Sequence, residues 1–128
     1  MKALMLLGAM LQAAGQGPPD PFCSDLRIIV ASAREDSDFQ RVRSLRPQPQ
    51  LTFDGGCSLR GASYSCRRSP APSYLTADHL AQRIAICIPD LRRRGAWRFE
   101  GDGVEAWVAE SRNGDGSRSV ALEVRRRR

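Results

Sequence analysis

Lysine is almost absent from this chain: Lys2 is the only one, against nineteen arginines. Histidine occurs once, as His79, and aromatic residues make up 6% of the sequence. None of the four cysteines forms a Cys-x-x-Cys pair. Each shortage excludes a class of chemistry. A lone histidine without that cysteine spacing does not make a zinc site, so no metal is expected. The dithiol redox motif is missing for the same reason. No serine stands in a Gly-x-Ser-x-Gly setting, which removes the nucleophile elbow of one hydrolase class. No glycine-rich loop opens a helix, so neither a nucleotide nor any other cofactor is expected. No apolar run approaches the about 20 residues needed to cross a bilayer. Few aromatics interleave with the arginines, so single-strand nucleic-acid stacking is not expected.

What is present begins at the N-terminus. Lys2 is followed by the apolar run Ala3–Leu11 and then by Gln12-Ala13-Ala14-Gly15. A positive charge, a short apolar stretch and small residues at the exit are the order of a secretory signal. Ala13 and Gly15 place the expected cut after Gly15, which leaves Gln16 as the mature N-terminus. All four cysteines, Cys23, Cys57, Cys66 and Cys87, lie beyond that point. Export to an oxidising compartment, periplasmic or extracellular, makes them a disulfide framework. Cys23 follows Pro21-Phe22 and not a small residue at the cut, so no lipid anchor is expected. Residues 16–21 read as an extended leader and residues 22–128 as a single domain.

Hydrophobic spacing gives the elements. Asp20-Pro21 has the form of an N-cap followed by proline at the first helical position. Phe22, Leu26, Ile29, Val30 and Ala33 then mark one stripe of a helix. Phe39, Val42 and Leu45 resume the pattern after Glu35-Asp36-Ser37-Asp38, as one broken helix or as two. Leu51-Thr52-Phe53 alternates as a strand, and Gly55-Gly56 marks a bend or bulge. Thr76 caps a second helix with a Leu75–Leu80 staple. Leu80, Ile84, Cys87 and Ile88 line its buried stripe, and Pro89 stops it. Three strands follow, around Trp97-Phe99, Val104-Ala106-Val108 and Val120-Leu122-Val124, with glycine turns between them. Trp107 falls on the opposite face from Val104, near Arg98. The expected fold is α+β, in the order α-β-β-α-β-β-β. An antiparallel sheet of about five strands would carry two helices on one face.

Gly61-Ala62 suit a two-residue type II′ hairpin loop. That register pairs Arg60 with Ser63, Leu59 with Tyr64, Ser58 with Ser65 and Cys57 with Cys66. The cysteines then occupy a non-hydrogen-bonded site, where Cα atoms lie about 4.5 Å apart, within disulfide reach. Cys57–Cys66 leaves Cys23–Cys87, which sit on the apolar sides of two helices that share a sheet.

Candidate sites beyond the disulfides are few. His79 is the only side chain with a neutral-range pKa, and it stands in a first helical turn, where an exposed polar residue is ordinary. A hydrolase using His79 would need a nucleophile and an orienting acid beside it. Asp102 and Asp115 lie among glycines, where turn chemistry accounts for them without calcium. The formal charge of +6 concentrates at Arg92, Arg93 and Arg94 and at Arg125, Arg126, Arg127 and Arg128. These clusters could bind an anionic polymer or membrane surface, with the last four as a solvated, frayed end. The arginine excess reads first as a coding bias of the source genome and only second as an anion-binding device.

Cys23 with Leu26, the run Tyr64-Ser65-Cys66, and Cys87 before Pro89 form a pattern that resembles small four-cysteine exported proteins of Gram-negative bacteria. The resemblance implies the same two bridges and a periplasmic address, and it implies no activity. The expected function is therefore non-catalytic: a small exported, disulfide-stabilised domain that binds or protects a protein or other envelope component, in the manner of an inhibitor. The alternatives are arginine-mediated binding of anionic polymers or membrane surfaces, and hydrolysis at His79.

Overall fold

The computed structural model describes residues 20–35, 38–46, 48–51, 53 and 56–127. The expected signal segment, most of the leader and Arg128 lie outside these residues. The elements are α1 (Pro21–Glu35), α2 (Gln40–Arg43), β1 (Cys57–Arg60), β2 (Ser63–Arg68), α3 (Ala77–Cys87), β3 (Arg92–Arg93), β4 (Arg98–Gly101), β5 (Val104–Arg112) and β6 (Arg118–Arg126). The strands form one six-stranded antiparallel sheet in the order β1-β2-β6-β5-β4-β3. The α+β class is as expected, with one strand more than the sequence indicates.

Local chemistry explains most of the boundaries. The Phe22 amide donates to the Asp20 carboxylate at 3.0 Å, which caps α1 ahead of Pro21. The buried stripe of α1 holds Phe22, Leu26, Ile29, Val30 and Ala33 as expected, together with Cys23 and Ser32. The His79 amide donates to the Thr76 hydroxyl at 3.1 Å, which caps α3. Leu75 and Leu80 are both buried beside it. The helix stops at Cys87, one residue short of the Ile88-Pro89 step.

The interrupted pattern of residues 22–45 resolves as two helices, α1 and α2. Phe39 adopts the left-handed conformation (φ 54°) between them and is completely buried. The expected strand at Leu51-Thr52-Phe53 is not formed. Leu51 sits at φ 51°, and the Phe53 amide turns back to the Gln50 carbonyl at 2.9 Å. The Gly56 amide then bonds to the Phe53 carbonyl at 3.0 Å. Successive turns use backbone groups that a strand would offer to a neighbour. Leu51 and Phe53 alternate with Thr52 because both plug the core, not because the backbone is extended.

The extra strand is β3. Arg92 pairs with Glu100 and Arg93 with Phe99. Two arginines carry no alternation of polarity, so nothing in the pattern announces a strand. Close approach permits it: a Cβ on Gly101 would lie 2.8 Å from the Asp90 carbonyl. Trp97 is partly buried just before β4 and packs against the core, while its indole N–H donates to Asp78 at 2.8 Å.

One face of the sheet carries the core. Tyr64, Cys66, Phe99, Val104, Ala106, Val108, Val120, Leu122 and Val124 are buried there beneath α1 and α3. Arg118 anchors the chain that leads into α3. Its guanidinium reaches the Leu75 carbonyl at 2.9 Å, the Pro72 carbonyl at 3.0 Å and Glu110 at 3.1 Å. Glu110 in turn accepts the Ala77 amide at 3.1 Å.

Both expected disulfides are present. Cys57 pairs with Cys66 in the hairpin register derived above, with Cα atoms 3.9 Å apart. Gly61 has φ 56° while Ala62 has no positive φ, as a type II′ turn requires. Cys23 joins Cys87, tying α1 to the end of α3 with Cα atoms 5.1 Å apart. The free-energy contributions in the chain-entropy model are about 3 kcal/mol for the short loop and about 4 kcal/mol for the long one. Replacing Cys23 and Cys87 together by serine should therefore lower the denaturation midpoint more than replacing Cys57 and Cys66. Urea titration of the two double variants checks the order.

Tyr64 is the buried polar anchor of the second half of the fold. Its hydroxyl donates to the Pro49 carbonyl and holds residues 48–51 against β2. Burial, with the negative charge of Asp25 as the smaller cause, pushes its pKa from 10.0 up to about 12. The raised value favours the neutral form in the folded state. Stability from this group is fully present below pH 10.0 and is lost as pH rises through about 12. Thermal melts across that window should show a drop for the native sequence and a flatter profile for Tyr64→Phe, which starts about 1 kcal/mol lower for the lost hydrogen bond.

Candidate functional site

Strand alternation leaves the second face of the sheet without a helix. Cross-strand pairing arranges its side chains in rows. One row runs Ser58, Ser65, Glu123, Trp107, Arg98. The row nearer the β1–β2 turn runs Arg60, Ser63, Arg125, Glu105, Glu100, Arg92. The row on the other side holds Arg67, Ala121 and Ala109. Small residues in the middle of this face leave a solvent-open concavity of about 310 Å³. Ser58, Ser65, Ala109 and Ala121 contribute its small lining residues, Glu123 and Trp107 stand in the middle row, and Arg60 and Arg67 lie in the rows on either side of them.

Apart from Arg92 at the sheet edge, which is unpaired among the described residues and away from the concavity, the charges here fall into two sets. Glu105 pairs with Arg125, and Glu100 pairs with Arg94 at 2.6 Å and Arg127 at 3.5 Å. Trp107 is flanked by two guanidiniums, with Arg125 Cζ 4.9 Å and Arg98 Cζ 5.8 Å from its ring centre. The expected proximity of Trp107 to Arg98 is thus observed. The second set is uncommitted: among the described residues, the side chains of Arg60, Arg67 and Glu123 have no hydrogen-bond or ion-pair partner. All three border the concavity.

The arginine clusters singled out in the sequence are divided by the fold. Arg92 is exposed on the open face at the sheet edge. Arg93 stacks on Phe99 with Cζ 5.6 Å from the ring and donates to the Ala96 carbonyl at 2.6 Å. Arg94 is ion-paired to Glu100. Arg125 and Arg126 belong to β6, and Arg127 continues it by donating its amide to the Gly103 carbonyl at 2.7 Å. Arg126 reaches the Arg34 carbonyl at 3.1 Å. The frayed end expected from sequence is instead paired chain through Arg127, because β5 holds it to Arg126 and the turn carbonyl of Gly103 takes the next amide. Arg128 lies outside the described residues.

His79 stands in the first turn of α3, on the helical side of the molecule, with its side chain exposed. Its backbone amide serves the Thr76 cap. Asp115 accepts both the amide and the hydroxyl of Ser117, at 3.0 and 2.6 Å, which lowers its pKa. Asp102 sits at φ 51° in the β4–β5 turn and lies 3.5 Å from Arg34. Both acids are turn residues, as expected. Asp20, Cys23 and Cys87 lie close enough to share an ion, but the two sulfurs are joined to each other.

The sequence reading missed Arg60, Arg67 and Glu123. The available signal was the polar half of each strand's alternation, which identifies an open face but not which side chains meet across it. Because Arg125 is paired with Glu105 and Arg127 with Glu100, they add little attraction at high ionic strength. Retention on DNA should vanish near physiological salt, and Arg126→Ala with Arg127→Ala should leave that behaviour unchanged. Salt-gradient chromatography checks it.

Among the described residues, no helix is long and apolar enough to cross a membrane. Comparison of this chain with protein families, curated proteins and solved structures gives no match.

Proposed function

We propose that this chain is a small exported, non-catalytic binding domain that presents its open sheet face to a component of the cell envelope. The carrying observation is the grouping of three uncommitted charges, Arg60, Arg67 and Glu123, around the concavity beside Trp107. Charged groups left without partners are free to pair with a ligand, and of the unpaired charges on this face these three border the concavity whereas Arg92 stands at the opposite sheet edge. Tryptophan and arginine are also the side chains enriched where binding energy concentrates. Two disulfides and a one-sided core make the face a rigid platform, which lowers the ordering cost of association. That rigidity suits an inhibitor-like or protective role.

The signal-like N-terminus and the disulfides support an oxidising, periplasmic or extracellular address. General electrostatic attachment to anionic polymers is the weaker reading, since three of the clustered arginines, Arg94, Arg125 and Arg127, are held in ion pairs with Glu100 and Glu105.

A photo-reactive residue placed at exposed Ala109 should crosslink to envelope material in living cells. The same residue at exposed Gln82, on α3, should not. Equal yields from both positions, or none from Ala109, would overturn the assignment of the open face.

A further inference from the structure

Resting on the open-face reading, we infer that the concavity seats an acidic saccharide, a ring bearing both carboxylate and hydroxyl groups. Three features of the site converge on that chemistry. Arg60 and Arg67 supply uncommitted guanidiniums, the side chain best shaped to hold a carboxylate by two parallel hydrogen bonds. They stand at opposite ends of the concavity. Arg60 pairs with Ser63, and Arg67 lies four residues further along β2, about 13 Å away at the usual strand rise.

The middle of the site has the opposite chemistry. Glu123 lies directly across from Ser65 on one side and Trp107 on the other. Its carboxylate has acceptor capacity and no donor among the described residues. A ligand carrying only carboxylates would meet repulsion there. Hydroxyl groups would not, because each can donate to Glu123 and exchange hydrogen bonds with Ser58 and Ser65. Trp107, whose ring is met by Arg98 and Arg125, still borders the concavity and reports on its occupancy. The sequence cation, acceptor with hydroxyls, cation therefore matches an oligosaccharide with carboxylates on successive or alternate rings and hydroxyls between them. The floor of serine and alanine side chains offers no deep hole for an anchoring protein side chain, which disfavours a peptide.

The test is a titration of the disulfide-intact protein with a galacturonate trimer, followed by amide and indole N–H chemical shifts. The methyl-esterified trimer and a triglutamate peptide serve as the comparison ligands. The galacturonate trimer should give saturable shifts at the Trp107 indole and at the Ser58 and Ser65 amides, with the Trp97 indole unmoved. Esterification should weaken binding at least about tenfold, the size of one lost charge-assisted hydrogen bond. Arg67→Ala and Arg60→Ala should each weaken it by a similar factor. Glu123→Gln should weaken the saccharide and strengthen the peptide, because it removes a charged acceptor and a repulsive charge together. Spectra of the unliganded variants, unchanged away from each site, show that folding is retained.

Absence of shifts at the Trp107 indole would overturn the inference. Equal binding of triglutamate, or tighter saccharide binding by Glu123→Gln, would do the same. If Ala109 crosslinks to a protein while the uronate does not bind, the open face remains a docking surface and only its saccharide ligand is refuted.

Discussion

The pairing of β5 with β6 places Ala106 opposite Val124 and Val108 opposite Leu122. This apolar ladder occupies the centre of the sheet, and every other element takes its position from it. The α1 helix packs against both strands, α3 packs against β5, and the β1–β2 hairpin continues the sheet from β6. A one-residue slip would exchange the two faces, exposing the valines and burying Glu105, Glu123 and Arg125. Burial of two of those carboxylates and a guanidinium without matched partners would cost far more than the register could tolerate. The same alternation that fixes the core therefore also fixes which polar side chains meet on the open face.

The disulfides and Tyr64 work around the margins of that ladder. Cys57–Cys66 closes the edge hairpin, and Cys23–Cys87 fastens the helical layer to itself. Between them, the described residues that flank α2 follow an irregular path with two buried residues in the left-handed region, Phe39 and Leu51. Such a path persists only where packing over-determines it. The Tyr64 hydroxyl and the fully buried side chains of Phe39, Leu51 and Phe53 supply that packing. The irregular segment is held by tertiary contacts, not by its own backbone preferences.

The open face illustrates how paired and unpaired charge divide one surface. Row by row, Glu105 and Glu100 draw the arginines of β6 and the sheet edge into ion pairs. Exposed pairs of that kind contribute little stability, and their main effect is to cancel local potential. What remains unpaired among the described residues is Arg92 at the β3 edge and, around the concavity, Arg60, Arg67 and Glu123. Function on this face is thus a question of local pairing, not of net charge.

The sequence determined what local chemistry and periodicity can determine. Caps at Asp20 and Thr76, the stop at Pro89, the Gly61-Ala62 turn and the Cys57–Cys66 register all follow from residues within a few positions of one another. The Cys23–Cys87 bridge followed once the first pair was known and two helices had to share a sheet. Interactions between distant residues were decided only in the tertiary structure. Leu51 and Phe53 alternate like a strand yet fold into turns, because their burial is satisfied by plugging the core. Arg92 and Arg93 become a strand through β4, although no polarity pattern marks them. Arg60, Arg67 and Glu123 lie on different strands, and only the β1–β2 and β2–β6 registers bring them to one concavity. A side chain's periodicity says which way it points. Whether it finds a partner depends on strands that the chain reaches sixty residues later.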